Sequence, residues 1–206
     1  MAGTKEIQDR MKSITDTMKI TNAMYLISSS KLRKAKRNME QVADYFHTIR
    51  RAIGDILHHM PYIEHPYLEP IDNYRPQEKR CYVVVTADKG LAGSYNLNVE
   101  KMAERELEFH PQAKLFVVGQ VGKHYFEHKH IPFEEEFLYS SQNPTLQRAR
   151  QITVDLLDAR RKYGLKEIYI IFTRMKNGMQ SEPVMMKILP LSRNQFKQKS
   201  INTSEE

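Results

Sequence analysis

The sequence predicts a long N-terminal coiled-coil helix followed by an α/β domain whose sheet is mostly parallel. Three observations point there. An apolar repeat of 3.5 residues runs without a proline from residue 7 to residue 60. Beyond residue 79, short β-branched and aromatic runs alternate with longer amphipathic stretches. The charge is also uneven, with 11 basic and 6 acidic side chains in residues 1–60 against 21 and 19 in the other 146.

The helix comes first. At alternating steps of four and three, one set reads Ile7, Ile14, Thr21, Ser28, Ala35, Val42, Ile49, Ile56. The other reads Met11, Met18, Tyr25, Leu32, Met39, Phe46, Ile53, Met60. Only Thr21 and Ser28 lack an apolar body. A repeat held this long is the seam of a left-handed coiled coil. Pro61 supplies the stop, and Gly54 lies off the seam, where it costs about 1 kcal/mol without breaking the pattern. About 55 helical residues make a rod of roughly 80 Å, whereas a compact chain of this size has a radius of gyration of about 17 Å. The rod outreaches any domain the remainder can build. Its seam needs a partner helix, and nothing after residue 61 supplies one of matching length.

The middle of the rod is basic. Residues 17–37 contain Lys19, Lys31, Arg33, Lys34, Lys36 and Arg37 and no acid, together with the small side chains Ala23, Ser28, Ser29, Ser30 and Ala35. Small residues admit a second backbone closely, and the cations favour an acidic surface or phosphates. A solvated basic face is the plain alternative.

Pro61, Pro66, Pro70 and Pro76 make 61–79 a connector. A buried strand is expected at 80–87, a helix at 99–109 and a second strand at 114–118. A short helix follows at 121–128 and a weak third strand at 133–139. Asn143-Pro144-Thr145 opens a helix that runs to about residue 163, where Gly164 stops it. A strand at 167–173, a turn at Asn177-Gly178 and a last strand at 183–191 complete the domain. The expected units are therefore 1–60, 61–79, 80–191 and a polar, disordered tail at 192–206. Strand–helix alternation gives a Rossmann-like order, with the last hairpin antiparallel.

Several chemistries are disfavoured. The single cysteine, Cys81, excludes an intrachain disulfide and a Cys-cluster zinc site. No run approaches the ~18 apolar residues of a membrane span. The N-terminus has no signal-type apolar core, and Glu6, Asp9 and Asp16 argue against a transit peptide. A mean hydropathy of −0.62 with 28% charged residues fits a soluble, intracellular chain whose surface is not all folded into one ball. Residues 88–96, Asp-Lys-Gly-Leu-Ala-Gly-Ser-Tyr-Asn, sit between strand and helix, where α/β folds bind phosphates. The stretch lacks the third glycine of G-x-G-x-x-G and the Gly-Lys-Ser/Thr end of a P-loop. It reads better as a tight turn at Asp88, Gly90 and Gly93 with Asn96 capping the helix. His124, Glu127 and His128 fit H-x-x-E-H, but on a short basic helix that spacing reads as exposed polarity more readily than as a zinc site. Glu134-Glu135-Glu136 is a solvated run. No catalytic site, cofactor or metal is expected.

Lys19-Ile20-Thr21-Asn22-Ala23-Met24 and Ser30-Lys31-Leu32-Arg33-Lys34-Ala35 resemble the N-terminal helix of the gamma subunit of F-type ATP synthases. The loop Thr86-Ala87-Asp88-Lys89-Gly90-Leu91-Ala92-Gly93-Ser94-Tyr95-Asn96 is similar to that family's signature loop, and Gln180 through Leu191 to its last strand. The resemblance implies a rotor shaft that couples ion translocation to ATP synthesis without catalysing it. It implies F1 alpha and beta subunits, the epsilon subunit and the membrane c-ring as partners, at the cytoplasmic face of the cell membrane. By the same resemblance, Met18, Lys19, Ile20, Ala23, Met24, Lys31, Leu32, Arg33 and Lys34 would meet the catalytic hexamer. A second shaft helix is implied too, and this sequence lacks it. The competing reading is a basic coiled-coil nucleic-acid-binding or scaffold protein.

An uncovered seam should make residues 7–57 of the isolated chain self-associate or fray. Sedimentation with circular dichroism tests this: helicity rising with concentration is expected, and constant helicity in a monomer contradicts it.

Overall fold

A computed structural model describes residues 2–70, 79–134, 137, 139–177 and 180–196. Expectations resting on Pro76, Glu135, Glu136, Leu138, Gly178 and residues 197–206 lie outside the described residues. The chain divides at Pro61/Tyr62 into two compact units.

The first is built on one helix, α1, Ala2–His59, of 58 residues and about 87 Å. Two exposed ion pairs decorate its first third, Arg10–Glu6 at 3.0 Å and Lys19–Asp16 at 3.4 Å. Thr15, Thr17 and Thr21 turn their hydroxyls back onto the carbonyls of Met11, Ser13 and Thr17. Exposed pairs contribute only tenths of a kcal/mol, and threonine back-bonding does not favour a helix. Local interactions therefore do not account for a helix of this length.

The second unit, Tyr62–Gln195, is a three-layer sandwich. Its elements are β1 Arg80–Val85, α2 Tyr95–Phe109, β2 Lys114–Val118, α3 Gln120–His128, α4 Leu146–Tyr163, β3 Glu167–Met175 and β4 Ser181–Leu189. The sheet order is β2-β1-β3-β4; β1 runs parallel to both neighbours, and β4 is antiparallel to β3. Strand side chains alternate between two cores, as a pleat requires. Cys81, Val83, Phe116, Val118 and Ile168 face α4 through Leu156 and Ala159. Tyr82, Val84, Leu115, Val117 and Ile171 face α2 and α3 through Val99, Ala103 and Phe126. At the foot of the sheet, Arg80 and Glu167, partners in the β1–β3 register, form an ion pair at 2.8 Å with Glu167 only 1% exposed.

Several sequence expectations are corrected here. Of the strand expected at 133–139, the described residues 133, 134, 137 and 139 form no strand, only an isolated bridge at Tyr139. Ile131 and Phe133 pack on the α2/α3 side, whereas Phe137 and Tyr139 pack on the α4 side. These described residues meet the β2 edge through Glu134 N–H donating to Leu115 O and a bridge between Tyr139 and Val118. Helix α2 begins at Tyr95, with Ser94 in the cap position, so Asn96 lies inside the helix and does not cap it. Its side-chain oxygen instead accepts from Ala87 N–H at 2.8 Å. The start of the polar tail is ordered, because Arg193–Phe196 form a 3-10 turn. Other boundaries move by a few residues. Thr145 caps α4 by accepting from Arg148 N–H, and Gly164 ends it at φ 65°.

Among the described residues, Glu100 and Lys123 are buried side chains that each leave a polar atom without a hydrogen bond. Glu100 on α2 is 3% exposed, and its Oε1 has no hydrogen-bond partner. Burial, then the neighbouring Glu104 carboxylate, raises its pKa. A carboxyl raised in the folded state keeps its proton longer than in the unfolded chain. Stability is then fullest in acid and falls as pH rises through the folded value. Glu100→Gln should therefore stabilise the unit by about 1 kcal/mol at neutral pH and change little near pH 4, as read by urea melts. Destabilisation at neutral pH, or a pH-independent difference, contradicts this.

Candidate functional site

The surface with most to cover lies on α1. Along the seam Ile7, Met11, Ile14, Met18, Tyr25, Leu32, Met39, Val42, Phe46, Ile49 and Ile56 are all exposed, and only Ile53 is half-buried. The residues expected to meet a partner are exposed as well: Met18 at 58%, Ile20 at 62%, Met24 at 46%, Leu32 at 48%, and with them Lys19, Ala23, Lys31, Arg33 and Lys34.

Seam periodicity alone missed Leu26 and Ile27, which are also exposed. At 100° per residue, Met18, Ile20, Met24, Tyr25, Leu26 and Ile27 point in directions spread around the whole helix. A helix that is apolar on one stripe needs one neighbour, whereas one that is apolar all round needs to be surrounded. Residues 18–27 are of the second kind. Immediately beyond them, Lys31, Arg33, Lys34, Lys36 and Arg37 form a cationic band with no acid among residues 17–37. The signal was available in the sequence, in the apolar residues that fall off the repeat.

The loop after β1 is held from within. Asp88 accepts from Gln120 N–H at 3.2 Å, Ser140 Oγ at 2.5 Å and Gln142 N–H at 3.1 Å, joining three segments. Partial burial pushes its pKa up. The hydrogen bonds from Ser140, Ser141, Gln120 and Gln142 outweigh that and hold it below the ordinary carboxylate value. Next to it, Thr86 Oγ1 donates to Val118 O and accepts from Gly122 N–H. Gly119, at φ 95°, passes so close that a Cβ there would lie 2.3 Å from Thr86 O. Gly90 and Gly93 have open space around them, and Gly93 sits at φ 56°. Leu91, at φ 63°, is 94% exposed. The first turn of α3, a natural seat for an anion, is thus capped by the chain's own carboxylate.

His124, Glu127 and His128 are exposed on α3, and among the described residues no group of three or more His, Cys, Asp or Glu is placed to hold a metal. Burial pushes the Cys81 thiol up to about 12, which leaves it protonated and unreactive at neutral pH. Among the described residues no helix is long and apolar enough to cross a membrane.

Asp88→Asn keeps the shape but gives up a charged acceptor, so it should destabilise the unit by about 1 kcal/mol at neutral pH. A carboxyl lowered in the folded state contributes above the unfolded pKa and loses its contribution as pH falls through the folded one. The difference between the two proteins should therefore shrink in acid melts. A gap that grows below about pH 4 contradicts the assignment.

The sequence matches the family described as ATP synthase over residues 3–206. The ATP synthase gamma chain of Acetivibrio thermocellus is 41% identical over 207 residues, which cover 100% of this chain and 70% of that one. The gamma chain of Ruminiclostridium cellulolyticum is 40% identical over 188 residues, covering 91% of this chain and 64% of that one. Among solved structures, the central stalk and c-ring of the Tetrahymena thermophila mitochondrial ATP synthase aligns with a TM-score of 0.48 and 22% identity, over 58% of this chain and 53% of that one. This chain spans 64–70% of the length of these two gamma chains. Matched along almost its whole length, the chain belongs to the gamma-chain family of ATP synthases.

Proposed function

We propose that this chain acts in the central stalk of an F-type ATP synthase, as part of a rotor that couples ion translocation to ATP synthesis. In this reading α1 lies against a second shaft helix along its seam and turns inside a collar of alpha and beta subunits. Met18, Ile20, Ala23 and Met24 lie against the collar. Lys19, Lys31, Arg33 and Lys34 face acidic loops of the catalytic subunits, with Leu32 between them. The α/β unit binds the epsilon subunit and the c-ring at the cytoplasmic face of the cell membrane, and the turn at Asp88, Gly90, Gly93 and Asn96 is structural. Catalysis belongs to the surrounding subunits, and the chain supplies motion.

One observation carries the reading: residues 18–27 expose apolar side chains all round the helix, directly before an acid-free cationic band. Hydrophobic contact supplies the affinity of such a surface, while the cations select the partner and its register. Nucleic-acid binding accounts for the cations alone, not for the apolar girdle beside them. A single exposed tyrosine there, Tyr25, offers little to stack a base.

The test is assembly with alpha and beta subunits in the presence of the second helix. The chain should copurify with the hexamer, and changing Lys31, Arg33 and Lys34 together to Gln should weaken association about tenfold and flatten its salt dependence. Failure to associate at any salt, or retardation of DNA that the same changes abolish, would falsify the proposal.

A further inference from the structure

The stretch after the long helix is held at many points. The carbonyl of Ile63 accepts from Arg193 Nη2 at 2.7 Å, that of Pro66 from Arg160 Nη2 at 2.9 Å, and that of Glu69 from Arg193 Nε at 3.2 Å. Tyr67 O accepts from Leu191 N–H at 2.7 Å, and Glu69 N–H donates to Leu191 O at 3.0 Å, closing a bridge between Leu68 and Leu191. The Glu69 carboxylate pairs with Lys187, both side chains being less than a fifth exposed. Arg160 also lies over the Tyr67 ring, 5.6 Å from its centroid.

Three cations from three places, α4, β4 and the 3-10 turn, therefore converge on residues 63–69. A proline-rich linker ordinarily leaves its carbonyls to water. Here they are taken by the α/β unit.

We propose that Arg193, Lys187 and Arg160 are positioning residues that clamp residues 63–69 to the α/β unit, so that the chain leaving α1 is a stiff strut for turning force. The inference rests on the stalk reading. Along the covalent chain, force passing between the α/β unit and α1 must cross residue 62. With the clamp closed, it enters at β4 and α4 without crossing 71–79. With the clamp open, the freed residues add slack on the order of 10 Å, which is drawn out before force is passed on.

The test has two arms. In the chain itself, Arg193→Ala and Lys187→Ala should each speed hydrogen exchange at the Leu68, Glu69 and Leu191 amides about tenfold, leaving Val83 and Ile171 unchanged. Arg193→Lys, with charge but no fork, should fall between. Exchanging the pair as Glu69→Lys with Lys187→Glu should restore protection. In the assembled enzyme in vesicles, the loosened variants should keep ATP hydrolysis and its KM but pump about half as many ions per ATP, and the exchanged pair should recover pumping. Unchanged exchange, or looser exchange with full pumping while the wild type couples normally, overturns the inference alone. A wild-type chain that never joins the hexamer overturns the stalk reading and this role with it.

Discussion

Everything in the first unit depends on an apolar helix surface meeting something that covers it. Helix α1 is 58 residues long, and its exposed ion pairs each contribute a few tenths of a kcal/mol. Covering its seam is a far larger effect. Fourteen of its sixteen positions carry apolar bodies, and at about 25 cal/mol per Å² with roughly 50 Å² gained by each, burial amounts to about 17 kcal/mol. The hydrophobic term therefore decides whether this helix persists. The charges select what it persists against, because a 21-residue stretch with six cations and no acid favours an acidic surface.

The α/β unit is the opposite case, since it completes its own interior. Two apolar layers close on the faces of one sheet, the Arg80–Glu167 pair fixes the feet of β1 and β3, and Thr86 and Asp88 knit the far end. The place where related topologies leave helix amides for a ligand is here bonded to the protein's own oxygen atoms. The clamp on residues 63–69 follows the same pattern, spending arginine and lysine on backbone carbonyls inside the unit.

Much of this was legible in the sequence, for physical reasons. A 3.5-residue repeat maps directly onto a helix face, so α1 and its seam could be read from spacing. β-Branched runs and the Thr145 and Gly164 signals likewise point to α4 and to the four observed strands, whose ends shift by up to two residues. The aromatic residues of 133–139 suggest a strand, but Phe133 packs in the α2/α3 core and Phe137 in the α4 core, a placement only the fold decides. Asn96 read as a cap because its type suits one, whereas only the fold brings Ala87 N–H to its side chain. Glu100 was invisible, since a glutamate on a polar helix gives no sign of burial. Periodicity alone does not show the girdle at 18–27, because Ile20, Met24, Leu26 and Ile27 fall off the 3.5-residue stripe.

Methionine oxidation measures the covering of α1 most directly. Met18 and Met24 lie in the apolar girdle, and both are open to solvent in the free chain. Under hydroxyl-radical footprinting they should oxidise readily in the isolated chain and at least tenfold more slowly once it is assembled with alpha and beta subunits and the second helix. Equal rates in the free and assembled states would contradict a shaft enclosed by other protein.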